Sequence, residues 1–309
     1  MKIRGLEISP LAVGSWRTFD RIPRATGTAV LERARELGIN FLEVARYDDD
    51  TGRAPIPTGY SEVCFGEAFR ASGWPREEVL IATKLWWEFW PGQSAREELE
   101  ASLGRTGLDR FDLLYSDPPP AELPLAEVVA TIGELIADGT TQAWGIVNWP
   151  AARIAAATEL CRAQGVAPPC LAQLAYSLDR RSPVEDEEMR AALRAGGTKV
   201  VASFVLAGGI LSGRYLSATG DGRMAAAIET PKFTRAAAIA ASLRELADEW
   251  EMTPAALAIA FVLHDPEVCT ALLGASRPEQ LEENVTALTA MSRLDADQWR
   301  RLGELGAEA

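Results

Sequence analysis

The residues best placed to do chemistry gather around Lys84, which ends the apolar run Val79-Leu80-Ile81-Ala82-Thr83 and is followed by Leu85. A buried strand rich in β-branched residues carries one reactive group to its mouth in this way. A lysine there has two uses. Desolvation lowers its pKa, or it stays charged beside carboxylates and polarises an acid partner or a carbonyl oxygen. Trp86, Trp87, Phe89 and Trp90 follow at once, and so many large rings in a loop point to a ligand or partner that covers them. Trp86, Trp87 and Trp90, with Trp149 beyond a later strand, are the expected walls of a substrate pocket. The single histidine, His264, falls in the helix-to-strand turn Leu263-His264-Asp265-Pro266, at the opposite end of the expected architecture. That leaves Lys84, Glu43, Tyr47, Asp48 and Asp117 as the candidate proton-transfer cluster.

The elements that must position these groups alternate regularly. Eight short apolar segments read as strands: 11–16, 39–44, 79–85, 111–116, 143–147, 171–175, 198–204 and 268–273. Helical patterns separate them, expected over 28–37, 61–71, 94–103, 124–137, 151–163, 185–194, 234–250 and 254–263, with 277–289 and 295–305 closing the chain. Residues 4–10 read as a short hairpin, and Ser61-Glu62 suits a helix start. A glycine-rich, irregular stretch runs from Gly208 to Phe233. The alternation predicts one domain over 1–309, a parallel (β/α)8 TIM barrel with an N-terminal hairpin and extra C-terminal helices. A doubly wound open sheet is the alternative, and no G-x-G-x-x-G follows any strand to support it. In such a barrel the chemistry sits at the carboxyl ends of the strands, here Trp16, Glu43, Lys84, Asp117, Asn148, Gln173, Ser203 and Gly274.

Composition narrows the function. A chain of 309 residues, 24% charged and 48% apolar, is long enough for one large core. No apolar stretch reaches about 18 residues, and Met1-Lys2-Ile3-Arg4-Gly5 lacks the apolar core of a signal peptide. A cytoplasmic protein with no membrane association is expected. A net charge of −13 with dispersed basic residues argues against nucleic acid, so an anionic cofactor would need a local basic pocket. Cys64, Cys161, Cys170 and Cys269 show no C-x-x-C spacing and read as buried free thiols. One histidine rules out a multi-histidine zinc site, and no metal is expected.

Several motifs resemble the aldo-keto reductase family, including its potassium-channel β-subunit branch, over nearly the whole chain. Residues 34–43, Ala-Arg-Glu-Leu-Gly-Ile-Asn-Phe-Leu-Glu, resemble the family's second-strand signature. Ser61-Glu62 with Phe65-Gly66 is similar to its S-E-x-x-L-G helix start, and Ile81-Ala82-Thr83-Lys84 to its lysine strand. Trp144-Gly145-Ile146-Val147-Asn148-Trp149 is similar to G-V-S-N-F, and Gly213-Arg214-Tyr215 to G-K-Y. Most specific is 273–284, Leu-Gly-Ala-Ser-Arg-Pro-Glu-Gln-Leu-Glu-Glu-Asn, which resembles the adenosine-phosphate site. Independently of that likeness, a glycine-serine turn opening a helix offers backbone N–H groups and a positive dipole end to a phosphate, with Arg277 adding charge. Gln280, Glu283 and Asn284 share one helix face, where they can read adenine and ribose.

The resemblance implies an NADP(H) cofactor, with NAD(H) the alternative, held by Trp16, Asn148, Gln173, Ser203, Phe204, Leu206, Arg214, Gly274, Ser276, Arg277, Gln280, Glu283 and Asn284. It also implies a tyrosine acid whose pKa is lowered by a lysine–aspartate pair, and a histidine that orients the carbonyl. Here Lys84 is kept, and Glu43 stands for the aspartate, one methylene longer. Asp117 occupies the histidine position, counted from Asp112. The tyrosine position, counted from Glu43, falls on Asp48, with Tyr47 one residue early. Val147 replaces the serine expected to bind the carboxamide, Ser203 stands where an aromatic ring would stack, and the loop 48–59 is long.

Three functions stay open. The first is an atypical NADP(H)-dependent oxidoreductase acting on a small carbonyl or enone compound, with Tyr47 slipped into the acid position or Asp117 as a protonated donor. The second is a redox-neutral lyase, isomerase or cyclase using the lysine–carboxylate cluster, and the third is a non-catalytic nucleotide sensor. An acidic aromatic pocket also suits a cationic small-molecule substrate.

Overall fold

A computed structural model describes residues 1–3, 5–216 and 231–307. Lys2–Ile3 (β1) pairs antiparallel with Leu6–Glu7 (β2), with Gly5 at φ 79° in between. The hairpin therefore begins two residues before the expected segment. Ser9 and Asn40 explain the shift. The Ser9 N–H donates to Asn40 Oδ1 at 3.0 Å and the Asn40 N–H to Ser9 Oγ at 2.9 Å, which draws residues 8–10 into the barrel base.

Eight strands follow: β3 (Leu11–Gly14), β4 (Phe41–Glu43), β5 (Leu80–Leu85), β6 (Leu113–Ser116), β7 (Ala143–Val147), β8 (Leu171–Ala175), β9 (Lys199–Ser203) and β10 (Val268–Leu273). All neighbours are parallel, and β10 pairs with both β3 and β9, closing the (β/α)8 barrel. The helices are α1 (Arg24–Glu36), α2 (Tyr60–Ala71), α3 (Ala95–Thr106), α4 (Leu125–Ala137), α5 (Ala151–Gln164), α6 (Ser182–Glu185), α7 (Glu187–Gly196), α8 (Pro231–Glu249), α9 (Pro254–His264), α10 (Pro278–Arg293) and α11 (Ala296–Glu304).

Three expected helix limits change for local reasons. α1 starts four residues early, directly after Pro23, whose fixed φ suits the boundary. The segment expected over 185–194 is two helices, broken at Asp186 with ψ 135°. Ser61 does not cap α2. Gly59, at φ 77°, precedes the helix, and the Ser61 hydroxyl donates to the Ala45 carbonyl at 2.9 Å, tying α2 to the exit of β4. Of the irregular stretch, Ala207–Ser212 and Arg214–Leu216 form 3-10 turns, and 217–230 lies outside the described residues.

Side-chain alternation decides what the barrel presents. Phe41, Leu80, Ala82, Leu113, Tyr115, Leu171 and Val201 fill the interior, with Ile3 and Ile8 in the same cluster from the hairpin end. Their neighbours Leu42, Ile81, Leu114, Ala172 and Val200 pack outward against the helices. Because a strand alternates with period two, the same interior parity continues to Glu43, Lys84, Asp117, Gln173 and Ser203 at the carboxyl ends. Gly145 makes room for the packing, since a Cβ there would lie 2.5 Å from the Leu171 carbonyl oxygen and 2.9 Å from the Tyr115 ring. Each fully buried large apolar side chain contributes about 1.5–3 kcal/mol.

Candidate active site

A cavity of about 500 Å³ opens at the carboxyl ends of the strands. Lys84, 7% exposed, is the last residue but one of β5 and lies at the cavity base. Its ammonium lies 3.0 Å from Glu43 Oε1 and donates to the Tyr47 hydroxyl oxygen at 2.6 Å. The Tyr47 hydroxyl in turn donates to the same Glu43 oxygen at 2.7 Å. The three groups form a closed triangle. Glu43 reaches the phenol because Gly14, beside it on β3, has no side chain: a Cβ there would sit 3.3 Å from Glu43 Oε2.

Tyr47 is set by the folding of its own loop. Asp48 bridges antiparallel to Thr58, the Gly59 N–H donates to the Tyr47 carbonyl at 2.9 Å, and the Asp49 N–H to the Pro57 carbonyl at 2.8 Å. In this extended pairing neighbouring side chains point to opposite sides. Tyr47 faces the cavity, and Asp48, the position counted from Glu43, is 75% exposed and away from it. The tip of the loop is held by Asp49, whose carboxylate accepts the N–H groups of Thr51, Arg53 and Ala54 and the Thr51 hydroxyl. Those bonds hold its pKa well below the ordinary carboxylate range. Arg46, only 7% exposed, donates to Thr58 Oγ1 at 3.0 Å, pairs with Glu88, and lies over the Phe89 ring. It joins Tyr47's loop to the aromatic loop after β5.

Two groups in the cluster have displaced pKa values. Burial, with the Glu43 carboxylate, pushes the Tyr47 phenol well above its ordinary value. Burial pushes Asp117 up to about 6 against the opposing pull of Lys84. Asp117 lines the cavity, and its backbone N–H donates to the Leu85 carbonyl at 2.9 Å. Among the described residues its carboxylate has no hydrogen-bond or ion-pair partner.

Of the four tryptophans expected as pocket walls, Trp86 alone lines the cavity. Its ring meets Tyr47 edge to face at 5.8 Å, the Lys84 ammonium lies 5.6 Å from its centroid, and its Nε1 is buried without a partner. The Trp86 and Trp87 N–H groups donate to the buried Glu98 carboxylate at 2.8 and 3.2 Å. Trp87, with φ 61°, turns inward and donates to Ser116 Oγ at 2.9 Å. Trp90 packs against the helix-side core. Trp149 is 1% exposed, packed edge to face on Trp144 at 6.4 Å. It points away because Asn148, at φ 51°, turns the chain and takes the cavity side itself. Trp16, expected on the cofactor side, does line the cavity at 41% exposure, with the Arg17 guanidinium 4.8 Å over its ring.

The rest of the cavity wall includes Val147, Asn148, Gln173, Ser203, Phe204, Leu206, Arg214, Gly274, Gln280, Glu283 and Asn284. Gln173 Oε1 is buried without a partner, so an acceptor stands ready for a carboxamide N–H. Ser276 and Arg277 are not part of the wall. Gln280 Oε1 accepts the N–H groups of Ser276 and Arg277 at 2.7 and 3.2 Å and the Ser276 hydroxyl at 3.1 Å. It thereby caps the turn expected to meet a phosphate. The Arg277 side chain is exposed, 3.8 Å from Glu279. Sequence reasoning missed Gly14, Gly208 and Gly209 as wall residues. The doubled glycine was the available signal: φ values of 72° and 98° need residues without a Cβ.

The model of the Aldo/keto reductase family matches residues 10–307. The chain belongs to the aldo/keto reductase family. Among curated relatives it is similar to proteins named "Probable voltage-gated potassium channel subunit beta" from Arabidopsis thaliana and from Oryza sativa subsp. japonica. Each is 29% identical, over 94% of this chain and 90% of the relative. A Schizosaccharomyces pombe protein whose name assigns it the same role provisionally is also 29% identical, over 97% of this chain and 90% of its own length. The family generally binds NADP(H) or NAD(H), and the unpartnered Gln173 oxygen and the glycine-lined wall fit such a dinucleotide. No helix among the described residues is long and apolar enough to cross a membrane.

Proposed function

We propose that this aldo/keto reductase is an NADP(H)-dependent oxidoreductase that reduces a small carbonyl compound, with Tyr47 as its general acid. The observation that carries the reading is the Tyr47–Lys84–Glu43 triangle at the cavity base. When bound, the nicotinamide supplies a hydride to the carbonyl carbon. The chain's part is to hold the substrate oxygen near Tyr47 Oη and deliver a proton there. Tyr47 stays protonated because burial and Glu43 raise its pKa, and an oxygen gaining an alkoxide's charge is basic enough to take that proton. The hydroxyl turns from Glu43 toward the cavity, and the Lys84 ammonium, still 2.6 Å from the phenol oxygen, stabilises the phenolate left behind. Asn148 and Gln173 orient the carboxamide, while Glu283, Asn284 and Arg214 serve the adenosine and phosphate end. Arg277 stands outside the wall, where it can meet a phosphate on the ribose and favour NADP(H) over NAD(H). The cytoplasm is the proposed compartment, in keeping with four free cysteines.

Loss of NADPH absorbance in the presence of small aldehydes and ketones tests this directly. Tyr47→Phe should cut kcat by about a hundredfold or more with Kd for NADPH within a factor of a few. Product formed with no change in NADPH absorbance would replace the reading with redox-neutral chemistry.

A further inference from the structure

Asp117 is the one cavity carboxylate at the reacting end that the triangle leaves unanswered. Glu43 and Lys84 neutralise each other at 3.0 Å, and the remaining Lys84 contact goes to Tyr47. The charged and titratable groups that face Asp117 are Lys84 on β5, Glu98 on α3 and Tyr47 on the loop after β4. Lys84 is committed to the triangle, and Glu98 to the backbone N–H groups of Trp86 and Trp87. With Asp117 ionised, the reacting end therefore carries a negative charge that no cation and no N–H group among the described residues meets. That charge opposes the negative charge that builds on the substrate oxygen as hydride adds, before Tyr47 delivers its proton. A cation on the substrate removes the conflict, and Trp16 and Trp86 supply aromatic walls at the same mouth.

We propose that the substrate is a carbonyl compound bearing an ammonium group close to its C=O, seated with its nitrogen against the Asp117 carboxylate. The C–N bond takes no part in the reaction. For catalysis this rests on the reductase reading above, whereas the charge preference in binding stands without it. A histidine-like role for a protonated Asp117 makes the opposite demand: it needs the neutral acid, which is lost as pH rises through about 6.

The test uses two isosteric pairs whose charge does not change with pH. One is trimethylammonioacetaldehyde and its carbon analogue tert-butylacetaldehyde, followed by NADPH loss. The other is the product pair, choline and tert-butylethanol, followed by calorimetry on the protein without added nucleotide. We expect choline to bind at least about tenfold more tightly than its analogue. The preference should grow as pH rises through about 6, fall by about tenfold in Asp117→Asn and persist in Asp117→Glu. Equal binding of the two alcohols, an unchanged preference in Asp117→Asn, or a preference that declines with rising pH would each overturn the proposal. Choline preference with no NADPH loss on either aldehyde or on any of the small aldehydes and ketones above would remove the reductase reading and leave the charged site standing. Reduction of both aldehydes at equal kcat/KM with equal alcohol binding would do the reverse.

Discussion

Shortening Glu43 to the aspartate that the family resemblance leads one to expect isolates what the extra methylene does. In Glu43→Asp the carboxylate withdraws by about 1.5 Å, one carbon–carbon bond. The Glu43–Tyr47 bond of 2.7 Å then opens beyond hydrogen-bonding range, while the Lys84 ammonium, on a flexible stem, follows the carboxylate. One charge-assisted hydrogen bond is lost, worth about 1.5–3 kcal/mol. A methylene-sized gap opens beside Gly14, costing about 0.8 kcal/mol. The net expectation is a destabilisation of about 3 kcal/mol by urea unfolding, with the m-value unchanged. The Tyr47 pKa should fall, because the group that helps to raise it has receded. Spectrophotometric titration of the phenols against a Tyr47→Phe control reads that shift. A variant within about 0.5 kcal/mol of the parent, with an unmoved tyrosine titration, would show that Glu43 does not hold the phenol.

Arg46→Met removes the buried cation that joins Thr58 and Glu88. It should cost about 2–3 kcal/mol and lower kcat with little change in NADPH affinity, and hydrogen exchange of 47–59 should speed up if Arg46 holds Tyr47's loop. Trp149→Phe should lower stability by about 1–2 kcal/mol with KM unchanged, since the ring packs on Trp144. Trp86→Phe should raise KM and reduce the fluorescence quench on NADPH binding, and identical KM effects from both variants would contradict the wall described.

The barrel was legible because its signal is collective. Eight apolar runs separated by amphipathic helices tolerate errors of a few residues at each end, and interior parity carried Glu43, Lys84, Asp117, Gln173 and Ser203 to the mouth together. Loop residues had no such protection. Trp87, Trp90 and Trp149 have the composition of a binding wall, but left-handed backbone at Trp87 and Asn148 decides which side chain turns inward, and non-glycine residues give little warning of it. Counting from Glu43 points to Asp48, and counting cannot know that residues 48 and 58 pair. By composition the helix-opening turn at Ser276 is open to a phosphate, yet Gln280 has the reach to satisfy its N–H groups first.

The pairing of Asp48 with Thr58 divides its loop into two parts under different constraints. Between Glu43 and the bridge, gain or loss of a single residue exchanges the neighbours that face inward, replacing a phenol with a carboxylate in one step. Beyond the bridge, from Asp49 to Pro57, the tip closes on its own aspartate and ties back through Asp50 to Arg17 and Arg21, and added residues leave the inward phase untouched. The tip can change around those ties while Tyr47 stays where it is. Sequence change in this loop should therefore concentrate between the two bridge residues, and an alteration before them should appear as a change of chemistry rather than of selectivity.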